Sequence, residues 1–148
     1  MTGARERSIY LLQNSDKTES QVRKKLLEEG FPAAVTERTL EFLKHYRYVD
    51  DESLAKRYVE SKSRVKSRRQ MAWELCRKGM DGETVQEALK EGVPEREAIS
   101  RLIRQKTGGK IPQAQEERRR LYGYLGRKGF SYEDIRSVLG DLEEENWE

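Results

Sequence analysis

Three segments of this 148-residue chain follow one pattern, and no other feature constrains its fold as strongly. They are Val22-Arg-Lys-Lys-Leu26-Leu-Glu-Glu-Gly30-Phe31, Met71-Ala-Trp-Glu-Leu75-Cys-Arg-Lys-Gly79-Met80 and Leu121-Tyr-Gly-Tyr-Leu125-Gly-Arg-Lys-Gly129-Phe130. Each places one apolar residue, a second four positions on, a glycine four after that, and then a large apolar side chain. The glycines lie 49 and 50 residues apart, and a leucine follows each by ten: Leu40, Leu89 and Leu139.

An apolar pair at i, i+4 gives a helix one face for a core. The glycine predicts the helix end, because the residue just past it commonly needs a positive φ. Phe31, Met80 and Phe130 are then placed to pack back on the helix they follow. A second helix restarts at once, with Pro32 suited to its first turn and Asp81 and Ser131 as N-caps. A third helix precedes each pair. Asp50 caps the one carrying Leu54, Ala55, Tyr58 and Val59; another starts near Pro94 and carries Ala98, Ile99, Leu102 and Ile103. In the first unit this helix is predicted to be shorter and weaker, with Ile9 and Leu12. No alternating β-branched run signals a strand. The expected fold is therefore all-α: three tandem three-helix repeats in an elongated curved array. The repeats span 1–48, 49–92 and 93–142, and an acidic end follows at 143–148. Units this small bury little surface alone and lean on one another. Lys106-Thr-Gly-Gly-Lys-Ile-Pro112 reads as a loop or hinge.

Charged residues make up 39% of the chain, against roughly 25% in an average globular protein. The net charge is only +3, yet its placement is uneven. Residues 51–80 hold nine basic and four acidic side chains, and 107–128 hold six and two. Residues 129–148 hold one basic and seven acidic ones. Two basic blocks followed by an acidic end suit either solvated helix faces or a surface for a polyanion or acidic protein. No apolar run approaches a membrane span, and Met1 to Tyr10 lacks the apolar core of a signal peptide. A soluble, cytoplasmic protein is expected.

No catalytic constellation emerges. Gly108-Gly109-Lys110 is followed by Ile111 and lacks the first glycine of a phosphate-binding loop. Asp50-Asp51-Glu52 fits capping and the helix dipole better than a metal site. The single histidine, His45, reads as a helix-end residue. The single cysteine, Cys76, excludes an internal disulfide and is expected half-buried in packing. No metal and no cofactor are expected.

A surface does emerge. With Met71 and Leu75 inward, Trp73 points roughly 200° away from Met71 at about 100° per residue. Arg69, Trp73 and Arg77 then form an i, i+4, i+8 stripe, continued by Lys78. The third unit repeats the charges as Arg119 and Arg127, whereas the first has Ser20, Lys24 and Glu28. Trp and Arg are enriched at interface hot spots, although Trp73 could equally pack beneath a neighbouring unit. Lys62, Arg64, Lys66 and Arg68 precede the stripe at a helix junction, and Arg118, Arg119 and Arg120 open the third unit's equivalent. Both groups suit phosphates or acidic side chains, and both suit solvent.

The second unit, Tyr48-Val-Asp-Asp51 through Ala55, Tyr58-Val59, Arg64, Glu74-Leu75 and Lys78-Gly79-Met80, resembles the RecX family of recombination regulators. The stretch Tyr124-Leu125-Gly-Arg-Lys-Gly129-Phe130-Ser-Tyr-Glu-Asp-Ile135 is similar to that family's last repeat. The likeness covers residues 8–142 and is weakest in unit one. It implies a modulator of the RecA recombinase that lies in the groove of the RecA–DNA filament. There it would suppress filament growth, ATPase and strand exchange, in DNA repair and the SOS response. The expected partner is the RecA filament, with nucleic acid touched weakly or through it, and a monomer is expected. A direct DNA-binding protein built from helix-turn-helix-like units is the alternative.

Overall fold

The computed structural model describes residues 2–145, so positions 146–148 of the expected acidic end lie outside the described residues. Nine helices and no strands occur among the described residues. In the first repeat these are α1 (Thr2–Asn14), α2 (Glu19–Glu28) and α3 (Ala33–His45). The second has α4 (Asp51–Lys62), α5 (Arg68–Arg77) and α6 (Gly82–Leu89). The third has α7 (Glu95–Thr107), α8 (Gln115–Arg127) and α9 (Tyr132–Glu145).

The repeated glycines do what the sequence predicts. Gly30, Gly79 and Gly129 have φ of 93°, 89° and 93°. At each, the glycine N–H and the next N–H fold back on the helix just ended. Gly30 donates to the Leu27 carbonyl and Phe31 to that of Leu26. Gly79 and Met80 donate to Cys76 and Leu75, and Gly129 and Phe130 to Gly126 and Leu125. This is the Schellman motif three times over, satisfying carbonyls that the helix end would otherwise leave orphaned. The caps of the following helices are also as expected. Asp81 accepts the Thr84 N–H at 2.8 Å, Ser131 that of Asp134 at 3.1 Å, and Asp50 that of Ser53 at 3.1 Å. Pro32 and Pro94 sit at the N-cap itself.

Packing divides the described residues into two compact bodies, 2–58 with 74–88 and 59–73 with 89–145. The core of the first is built on Val22, Leu26, Leu40, Leu43 and Val49, flanked by half-buried Ile9, Leu12, Phe31 and Phe42. That of the second gathers Ile99, Leu102 and Ile103 from α7, Leu121 and Leu125 from α8, and Ile135, Val138, Leu139 and Leu142 from α9.

Two expectations need correction. Helix α1 is not short: it has 13 residues, against 12 in α4 and 13 in α7. It buries Ala4 and Ser8, one turn apart, and the Ser8 hydroxyl donates to the Ala4 carbonyl at 2.7 Å. Small residues allow close approach without the large apolar signature that a sequence pattern registers. Cys76 is exposed rather than half-buried, on the same outward line as exposed Leu27 and Gly126 in the other repeats.

Each body also holds one helix-end junction of the same design. In the first, the end of α5 meets the start of α2: the Thr18 hydroxyl donates to the Lys78 carbonyl at 2.5 Å, and a β-carbon on Gly79 would overlap the Ser20 side chain. In the second, the end of α8 meets the start of α5. The Ser67 N–H donates to the Lys128 carbonyl at 3.0 Å, and a β-carbon on Gly129 would overlap the Ser67 hydroxyl and crowd Gln70. Ser67 occupies in repeat two the place that Thr18 holds in repeat one. At Gly30 a β-carbon would meet nothing.

Candidate partner-binding surface

Helix α5 and the turn before it carry most of the predicted surface. Ser67 caps the helix through the Gln70 N–H at 3.0 Å, and the Arg68 N–H is taken by the Glu95 carboxylate at 2.5 Å. These bonds fix the start of α5, from which Arg69 and Trp73, four residues apart, both face outward. Trp73 is 55% exposed. Arg77 and Lys78 fall in the first body, and the Lys78 ammonium lies 5.2 Å from the centre of the Tyr58 ring.

The cations are not equally available. Lys62 and Arg64 are exposed and Lys66 is half-buried. The Arg69 guanidinium donates to the Gly129 carbonyl at 3.3 Å, so it also closes the end of α8. Arg118 is committed inward, paired with Glu143 at 2.6 Å and donating to the Pro112 carbonyl at 3.2 Å. It therefore belongs to the α8–α9 packing rather than to a free surface. Glu143 had been expected in the tail; helix α9 runs on through it to Glu145, which pairs with Arg104 at 3.3 Å. Arg119 and Arg127 are exposed and hold no ion pair among the described residues. Gly123, which stands where repeat two has Trp73, leaves room for the Arg127 guanidinium, 3.5 Å from where a β-carbon would be.

The sequence reading missed an aromatic group in the first body. Phe42 lies 5.0 Å from Tyr46 and 6.3 Å from Tyr48 between ring centres, and the Arg5 guanidinium sits 4.2 Å above the Phe42 ring. The Tyr-Arg-Tyr spacing at 46–48 was the available signal. No group of three or more His, Cys, Asp or Glu with metal-binding geometry occurs among the described residues, and no described helix is long and apolar enough to cross a membrane.

Profiles for the first, second and third three-helix domains of RecX match residues 4–43, 50–89 and 94–139. The regulatory protein RecX of Caldanaerobacter subterraneus subsp. tengcongensis is 31% identical over 140 residues, covering 92% of this chain and 68% of that protein. The chain belongs to the RecX family. RecX proteins of Clostridium tetani and Prosthecochloris aestuarii are 30% and 28% identical, over 91% and 94% of this chain and 65% and 93% of their own. The chain thus spans just under two thirds of the clostridial RecX relative. Among solved structures, RecX from Lactobacillus salivarius superposes with a TM-score of 0.76 at 18% identity, over 96% of each chain. A second, a regulatory protein RecX, gives 0.71 at 24% identity over 93% of this chain and 70% of that one, so the RecX fold is shared. The stretch from Lys62 to Lys78 lies inside the match to the second RecX domain, and Arg119 and Arg127 inside the third.

Proposed function

We propose that this chain is a non-enzymatic modulator of the RecA recombinase, acting chiefly as an inhibitor. It binds in the groove of the RecA–DNA filament and suppresses extension, ATPase and strand exchange, in the cytoplasm and within the SOS response and DNA repair. One observation carries the reading above others: relatives aligned along more than nine tenths of the chain are named regulatory protein RecX. The surface chemistry supports it. Trp73 between Arg69 and Arg77 offers an aromatic anchor flanked by guanidinium groups, the side-chain types that dominate interface hot spots. Arg64, Arg119 and Arg127 are exposed and unpaired among the described residues, and so are open to acidic side chains or phosphates. A protein that touches neighbouring RecA subunits through such groups holds them in one arrangement, and so slows the subunit changes that accompany ATP turnover.

The unpaired arginines also favour a second reading, direct binding to DNA through phosphates. Salt separates the two. Phosphate binding alone falls steeply and linearly with log salt, in proportion to the phosphates neutralised. The test is binding of the labelled chain to preformed RecA–single-stranded-DNA filaments and to the same DNA bare, from 50 to 300 mM salt on the order of the usual range. Retention on filaments where bare DNA no longer binds supports regulation through protein contacts. Equal affinity for both, with one salt slope, contradicts it.

A further inference from the structure

The turn that closes α3 repeats the Schellman geometry of the three glycine turns with a different residue set. Arg47 donates to the Lys44 carbonyl at 3.1 Å and Tyr48 to that of Leu43 at 2.8 Å. The left-handed position, glycine in the other three turns, is here Arg47, with φ 58°. A non-glycine residue is strained there, and such strain persists where another demand overrides it. The following side chain is also used differently. Met80 and Phe130 are buried after their glycines, whereas Tyr48 remains 51% exposed and Tyr46 62%. The turn folds both tyrosines back against Phe42, with Phe42 and Tyr48 inclined by only 28°. Arg5 covers Phe42, and Arg38 stands one helical turn before Phe42 on the same line of α3. Arg5, Arg38 and Arg47 hold no ion pair among the described residues, while many other arginines of the chain do. Glu41 is the carboxylate beside His45 on that helix.

We propose that Tyr46 and Tyr48, set against Phe42, with Arg5 over that ring and exposed Arg38 and Arg47 on the same helix and turn, form a stacking platform for unpaired bases of a single-stranded nucleic acid. Exposed rings accept bases of any identity, and guanidinium groups without a carboxylate partner neutralise the connecting phosphates. A duplex, whose bases are already stacked, offers the rings nothing. The surface lies wholly within the first body and shares no residue with the α5 stripe, so it stands apart from the recombinase reading.

The test needs no recombinase. A fluorescent oligothymidylate and an abasic oligomer of the same length and charge are titrated with the full chain, using fluorescence anisotropy. The oligothymidylate is expected to bind at least tenfold more tightly, on the order expected for stacking of one or two bases. Tyr46→Ala with Tyr48→Ala should lose most of that difference and leave abasic binding unchanged, and the Tyr→Phe pair should restore it. Arg47→Gly should raise the melting temperature yet weaken binding to both oligomers. Equal affinity for the two oligomers, or a tyrosine pair whose loss changes nothing, overturns the proposal.

Discussion

The ends of α2 and α5 are built alike and used differently. Both close on a glycine near φ 90° with the same pair of backbone hydrogen bonds, and both are followed by a large apolar side chain. Past Gly79 stands the start of another helix, close enough that Ser20 fills the place of a β-carbon. Past Gly30 there is open space, and the nearby charge is met instead by Arg7 of α1, paired with the C-cap residue Glu29 at 2.6 Å. The same local code therefore serves two purposes. At Gly30 the glycine answers only a dihedral requirement, while at Gly79 and Gly129 it also permits a helix end to abut its neighbour.

Alanine at the three glycines should show this contrast most strongly. Gly79→Ala and Gly129→Ala should each cost about 2–4 kcal/mol, combining the left-handed penalty with overpacking. Gly30→Ala should cost about 1–2 kcal/mol from the dihedral alone. Urea denaturation of the three variants measures this, and equal losses would erase the distinction. Gly79→Val should exceed Gly79→Ala, since branching at Cβ worsens both terms.

The cap hydroxyls come next. Thr18→Ala removes a complete capping box and the bond to the Lys78 carbonyl, whereas Ser67→Ala removes one cap bond and leaves the backbone bond to Lys128 intact. About 1–2 kcal/mol is expected for the first and about 1 kcal/mol for the second. A larger loss at Ser67 would mean that the α8 junction relies on that hydroxyl more than its geometry indicates.

Arg69→Glu with Arg77→Glu should weaken filament binding at least several-fold with the helical circular dichroism intact. Arg69 also serves the Gly129 carbonyl, so the double variant should lose a few tenths of a kcal/mol, in the range of exposed side-chain contacts. Unchanged filament binding removes the stripe from the proposed interface.

The smallest effect concerns Asp51, at the start of α4. Burial, opposed by a hydrogen bond from the Glu19 N–H at 3.0 Å, raises its carboxyl above the ordinary value, with Glu19, Asp81 and Asp50 adding repulsion. A folded-state pKa above the unfolded one means that ionisation costs stability above both values and costs nothing below them. Asp51→Asn should therefore raise the melting temperature slightly at neutral pH, and the gain should fade as the pH falls through the carboxylate range. A gain that grows in acid would reverse the assignment.

Much of this architecture is legible in the sequence because it is local. The i, i+4 pairs, the glycines at 30, 79 and 129, and the caps Asp50, Asp81 and Ser131 all act within one turn of the backbone they control. What escaped depends on distant partners. The role of α1 rests on Ala4 and Ser8, whose burial no hydrophobic pattern reveals. Arg118 was placed on the surface because its partner, Glu143, lies 25 residues away on a helix expected to have ended. Trp73 stays open in the sequence because a tryptophan at an outward helical angle meets either solvent or a neighbour; it is 55% exposed. The Tyr-Arg-Tyr spacing at 46–48 signals only the residue types of the aromatic group, because their gathering needs Arg47 in a conformation that sequence rules reserve for glycine.

The proposed regulation of RecA is best tested by its single-stranded-DNA-dependent ATPase, titrated with this protein from sub-stoichiometric to equimolar ratios. A progressive loss of ATP hydrolysis is expected at protein concentrations below those that saturate bare DNA. Unchanged hydrolysis at an equimolar ratio, with tight and salt-sensitive binding to DNA alone, would contradict it.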